Sequence, residues 1–265
     1  KGLPIYNANS EQLVDRVRAP RDLAELGQWI DQATTLLARL DIWGHDALPY
    51  FYQLAALTRA VERYGAAQVE AALPAVNKWL YATSYAEAFK GMSNRQLGDS
   101  FHTLEQVVTG DQTWPPEGWD AGPPVTPART VRRRAVRTTR FALCLAREGD
   151  KTAGDHTLAM AFGRHGVLRR LDRRAGIEEP AGAVIAEREE ITALRAMLSG
   201  PDEPDVGDPL FRRHLISAAA VASHRASGMD GLLDVRRREL ADFERAFVEK
   251  VLGLRWDDTK RTNEP

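Results

Sequence analysis

Three features of the sequence predict an all-α fold: a multi-helix bundle with two helical subdomains joined by a proline- and glycine-rich loop. Apolar residues recur at helical spacing along most of the chain, and alternating β-branched runs are scarce. Capping and breaking residues also fall where the periodic segments begin and end.

Taken in order, the stretch SEQLVDRVR opens with Ser10, a hydroxyl suited to cap a helix. In DLAELGQWIDQATTLLARLDIWG, residues Leu23, Leu26, Ile30, Ala33, Leu37 and Leu40 share one stripe, and Gly44 closes it. LPYFYQLAALTRAVERYG reads as a second helix, with Pro49 in its first turn and Gly65 at its end. The next stretch, to Gly91, carries one or two helices, kinked or restarted at Pro74. SNRQLGDSFHTLEQVVTG is capped by Ser93 or Asn94 and stopped by Gly110. These segments form an N-terminal helical body, residues 1–110.

Residues 111–126 then form a loop or linker, since the segment from Asp111 to Pro127 holds five prolines. Trp114 and Trp119 within it are expected to pin the loop to the body. Helices resume in a C-terminal body, residues 127–265, over 127–148, 155–175, 181–199, 209–227 and 229–252. The polar end, from Asp257 onward, reads as a frayed tail.

Composition narrows the function. With 43% hydrophobic and 28% charged residues, the chain reads as an ordinary soluble globular protein. No apolar run reaches the roughly 18–20 residues needed to span a bilayer, so no membrane is expected. The start, KGLPIYNANSEQ, lacks a signal-peptide core and an initiator Met, which reads as a fragment or a processed product. The single cysteine, Cys144, excludes an internal disulfide and a cysteine-based zinc site, and it fits a reducing cytoplasm.

Charge is unevenly placed. The 36 basic and 37 acidic residues nearly cancel over the chain. Yet residues 129–174 hold 13 basic against 4 acidic residues, a net of +9. Residues 175–208 hold 9 acids against 2 bases, a net of −7. This asymmetry predicts a basic face and an acidic face, or two segments that pack on each other.

The basic face begins in TPARTVRRRAVRTTRFALCLAREGD, where Thr126 caps and Pro127 opens a helix. On a helical wheel Val131, Ala135, Phe141, Ala142 and Leu145 share one arc. Arg129, Arg133, Arg137 and Arg140 share the opposite arc, with Arg132 and Arg134 on its flanks. A guanidinium stripe suits phosphates, because each fork donates two parallel hydrogen bonds to one anionic group. Arg164, His165, Arg169, Arg170, Arg173 and Arg174 follow as a second cluster, and Arg236–Arg238, read as opening the last helix, as a third. The competing reading is a solvated face, or one paired with Glu187, Glu189 and Glu190.

Catalytic patterns are sparse. His45–Asp46 lacks the further ligands of a metal phosphohydrolase, and Asp99 with His102 reads as a polar pair on one helical face. Asp150, Asp155, His156 and His165 form the one set that could bind a divalent metal for a nuclease. No zinc-protease, phosphate-loop, dinucleotide or nucleophile-elbow motif occurs, so no cofactor and no firm metal site are implied.

Residues 48–108 resemble the helical middle region of GmrSD-type bacterial restriction proteins. The matching positions are Leu48, Pro49, Tyr50, Trp79, Tyr85, Gly91, Ser93, Asn94, Leu97 and Asp99. Residues 208–240 look like that family's closing helices. The family's Asp-Gly-Gln-Arg and His-His-x-Phe-Pro motifs are absent, so no catalytic residue carries over. The resemblance implies the helical part alone, or a relative without its nuclease centre, acting in defence against foreign DNA.

The reading that follows is a helical module that contacts DNA or another nucleic acid, or scaffolds an assembly, with no complete active site of its own. The alternatives are a protein-interaction subunit using residues 175–208 or the tryptophan loop, and a metal-dependent nuclease centred on Asp155, His156 and His165.

Overall fold

The computed structural model describes residues 20–40, 42, 48–111, 114, 119–121, 168–171, 180–186, 188–200, 205 and 207–256. Within these the fold is all-α apart from one two-stranded ribbon. The helices expected over 10–18 and 127–148, and most of that over 155–175, lie outside the described residues. The chain divides into two compact units, one of residues 1–121 and 252–255, the other of residues 122–251 and 256–265.

Among the described residues the first unit holds five helices: α1 (Pro20–Ala38), α2 (Phe51–Tyr64), α3 (Ala66–Ala71), α4 (Leu73–Tyr85) and α5 (Asn94–Thr109). α2 starts at Phe51, so Pro49 precedes the helix rather than sitting in its first turn. Gly65, at φ 81° and ψ 150°, turns α2 directly into α3, a conformation that glycine adopts without a Cβ clash. The segment around Pro74 is two helices. Pro74 falls in the first turn of α4, where the missing N–H costs nothing. α5 carries a reciprocal cap, Ser93 accepting from the Gln96 N–H while the Gln96 side chain receives the Ser93 N–H at 2.9 Å. Gly110 ends it in the left-handed region.

Leu57, Val61, Trp79, Leu80, Tyr85 and Leu104 are buried at the centre of this unit. A polar knot ties α2 to α4 there. The buried Gln53 amide donates to Leu80 O at 2.9 Å, Thr83 Oγ1 at 2.8 Å and Ser84 Oγ at 3.1 Å. The apolar stripe expected along α1 is buried in one half only. Ala33, Leu36 and Leu37 are covered, whereas Leu23, Leu26 and Ile30 are exposed. Trp114 fixes the loop to this unit, its Nε1 donating to Leu252 O at 2.6 Å and its ring meeting Trp119 edge-on at 6.2 Å. The Lys78 ammonium lies 5.3 Å over the Trp114 ring, and burial lowers its pKa.

In the second unit, strand β1 (Leu168–Arg170) pairs antiparallel with β2 (Ala183–Ile185), Leu168 opposite Ile185 and Arg170 opposite Ala183. This corrects the helix expected over 155–175, within which Leu168–Arg170 are extended. It also corrects the helix expected over 181–199. A short 3-10 turn, Pro180–Gly182, and β2 come first, and α6 spans Arg188–Ser199. The reason lies in the carbonyls. Gly182 O accepts from Leu171 N at 2.8 Å, while Ala181 O and Ala183 O accept from the Arg236 guanidinium. Those acceptors are therefore taken by partners distant in sequence.

α7 (Pro209–Arg213) is capped by Asp208, which accepts from Leu210 N at 2.7 Å. Leu215, at φ 52°, then breaks the helix expected over 209–227. α8 (Ala218–Ala246) starts at the Ser217 cap and bends sharply at Gly228, φ 69° and ψ −158°. The sequence places its break between 227 and 229, and the bend falls there. A Cβ on Gly231 would meet Ser223 O at 2.5 Å, so the two arms of α8 approach closely beside the bend. A wider, π-helical stretch, Phe247–Leu252, follows. Leu171, Val184, Leu194, Phe211 and Leu232 form the core of this unit.

Candidate nucleic-acid interface

Arg129, Arg132, Arg133, Arg137 and Arg140 of the predicted stripe lie outside the described residues, as do Arg173, Arg174, Asp155, His156 and His165. Arg169 and Arg170 are described through their backbone. They are the last two residues of β1 and pair with Val184 and Ala183. The basic segment therefore runs into a strand that is hydrogen-bonded within the second unit.

The third predicted cluster, Arg236–Arg238, is corrected. It lies within α8 rather than opening a helix, and Arg236 is fully buried. Its guanidinium donates to Ala181 O, to Ala183 O at 2.9 Å and to His214 O at 3.1 Å. Burial pulls its pKa down to about 10, well below the ordinary guanidinium value, and the charge of Glu239 offsets part of that pull. Glu239 is held in turn by the Ser217 hydroxyl at 2.6 Å. Arg236 thus clamps the turn before β2, β2 itself and the end of α7 onto α8. Arg237 Nη1 pairs with Asp234 at 2.6 Å along the same helix.

Acids in segment 175–208 have local work. Glu190 pairs with Arg213 at 3.1 Å. Asp208 caps α7, and Asp205 Oδ1 accepts from Gly207 N at 2.8 Å. Glu189 is exposed, and Glu187 lies outside the described residues.

One cationic group was not singled out in the sequence. The buried carboxylate of Glu105 on α5 accepts from Arg59 Nε and from Arg63 Nη1 on α2, each at 2.7 Å. Burial pushes the Glu105 carboxyl up, but hydrogen bonds to Arg59 and Arg63 and their charges outweigh it and hold it below the ordinary value. His102 Nδ1 stands 3.6 Å from Glu105 Oε2, so the imidazole faces Glu105 on the same helix. The Asp99 carbonyl accepts from Thr103 Oγ1 at 2.9 Å. The only hint in the sequence was local: Arg59 and Arg63 stand one helical turn apart.

Among the described residues no group of three or more His, Cys, Asp or Glu could hold a metal ion, and no helix is long and apolar enough to cross a membrane. Fold and charge together define a two-unit helical protein whose most cationic segment joins a packed ribbon. Comparison of the chain with family models, curated proteins and solved structures finds no match.

Proposed function

We propose that this chain is a helical module that contacts nucleic acid through its basic segment, or scaffolds an assembly on it, as one part of a bacterial defence system. The observation that carries the reading is the continuity of charge and structure. Residues 129–174 bear a net +9, and the segment passes through Arg169–Arg170 into a strand bonded to the second unit's core. Arg169 and Arg170, whose backbone is fixed in that strand, need less ordering on binding than residues of a free tail, so more of their phosphate attraction appears as affinity. The resemblance of residues 48–108 to the helical region of GmrSD-type proteins fits the same setting. The acidic segment is the weaker candidate for a partner surface, because Glu190, Asp205 and Asp208 already bond within the chain.

The test is binding of the full chain to a mixed-sequence DNA duplex at two salt concentrations. If Arg129, Arg133, Arg137 and Arg140 each neutralise one phosphate, the log–log salt slope is about −3.6. Raising salt from roughly 50 to 200 mM then weakens binding about a hundredfold. Binding that is absent at the lower salt, or indifferent to salt, refutes the proposal.

A further inference from the structure

We infer that Arg63 and His102, on the first unit, form a binding site for a phosphate group, held in shape by the buried carboxylate of Glu105. Three basic side chains converge on that one carboxylate: Arg59 on Oε1, Arg63 and His102 on Oε2. One negative charge therefore faces two guanidiniums and an imidazole. The Glu105 side chain is only 4% exposed, whereas Arg63 is 55% and His102 66% exposed. The anchor is inside, and the Arg63 guanidinium and His102 ring face water. Arg63 gives Glu105 one of the five N–H groups of a guanidinium, and the remaining edge suits two phosphate oxygens. Fixing the fork against α5 removes much of the rotamer entropy that a lone surface arginine loses on binding. His102 stands beside it, because its Nδ1 and Arg63 Nη1 approach the same oxygen. Glu62 immediately precedes Arg63 in sequence, and Asp99 lies one turn before His102. These two acids restrain affinity, and a single phosphate is expected to bind in the millimolar range.

The site uses none of the residues of the basic segment, so it stands or falls by its own measurement. Inorganic phosphate is titrated into the full chain while the His102 ring resonances are followed by NMR, with chloride at matched ionic strength as control. A saturable shift with phosphate alone is expected. It should be lost in Arg63→Gln and in His102→Gln, the latter followed through the Arg63 side-chain N–H, and kept in Lys90→Gln. Ring resonances that do not move, that move equally with chloride, or that titrate normally in Arg63→Gln overturn the inference. Duplex DNA then distinguishes the source of the phosphate. A salt slope reduced by about 1 in Arg63→Gln assigns the site to the nucleic-acid backbone. An unchanged slope, with the phosphate titration intact, assigns it to a free phosphorylated ligand. Should the duplex not bind at all, the phosphate titration still decides this site while the nucleic-acid reading falls.

Discussion

Replacing Arg236 by methionine tests the clamp at the centre of the second unit. The change keeps much of the side-chain length and removes the charge together with its bonds to Ala181 O, Ala183 O and His214 O. Hydrogen bonds from a charged donor contribute about 1.5–3 kcal/mol each, so three sum to roughly 4.5–9 kcal/mol. Against this stands the cost of burying the cation. The fall in pKa to about 10 corresponds, at about 1.36 kcal/mol per unit, to something on the order of 3 kcal/mol that methionine recovers. The bonds win, and the net loss is roughly 1.5–6 kcal/mol. Urea unfolding followed by circular dichroism measures it, and a thermal scan should show a fall of about 2–4 °C for each kcal/mol. Arg236→Lys should fall in between, since one ammonium cannot reproduce the spread of a guanidinium fork. A methionine variant within about 0.5 kcal/mol of the parent would refute the reasoning.

Three further outcomes follow from the structure. Glu105→Gln should destabilise the first unit by about 1–2 kcal/mol near neutral pH. Because the folded carboxyl titrates below its ordinary 4.5, that contribution is complete above pH 4.5 and is lost as pH falls further, so the melting curves of parent and variant should converge in acid. Gly228→Ala places a side chain at φ 69°, ψ −158°, and should cost on the order of 1–3 kcal/mol in chemical unfolding, whereas a neutral result would show that the bend relaxes freely. Ser93→Ala removes the α5 cap and should cost about 1 kcal/mol, measured by the same unfolding curve; no loss would mean that Gln96 alone sustains the helix start.

How far the sequence spoke depended on how local each signal was. α5 was legible at both ends, because the Ser93 cap and the Gly110 stop act within a turn of where they stand. Pro74 and Gly228 likewise marked real breaks, since each constrains its own backbone. The β1–β2 ribbon was not legible, because three-residue strands are too short to display an alternation. Its carbonyls are also satisfied by Arg236, more than 50 positions away. For the same reason Arg236 looked like one more surface cation in a run of three. The half-exposed stripe of α1 shows the limit from the other side. Periodicity identifies an apolar face but not how much of it a neighbour covers. The Arg59–Glu105–Arg63 group was out of reach too, with partners 46 and 42 positions apart.

The central claim is that the stripe of arginines opened by Thr126–Pro127 meets phosphates. The most direct measurement compares the salt dependence of duplex binding by the parent chain with that of a variant carrying Arg129, Arg133, Arg137 and Arg140 all changed to Gln. The account predicts a parent slope of about −3.6 or steeper that loses close to that much in the variant. Two slopes that coincide, or a parent that binds no duplex at low salt, would contradict it.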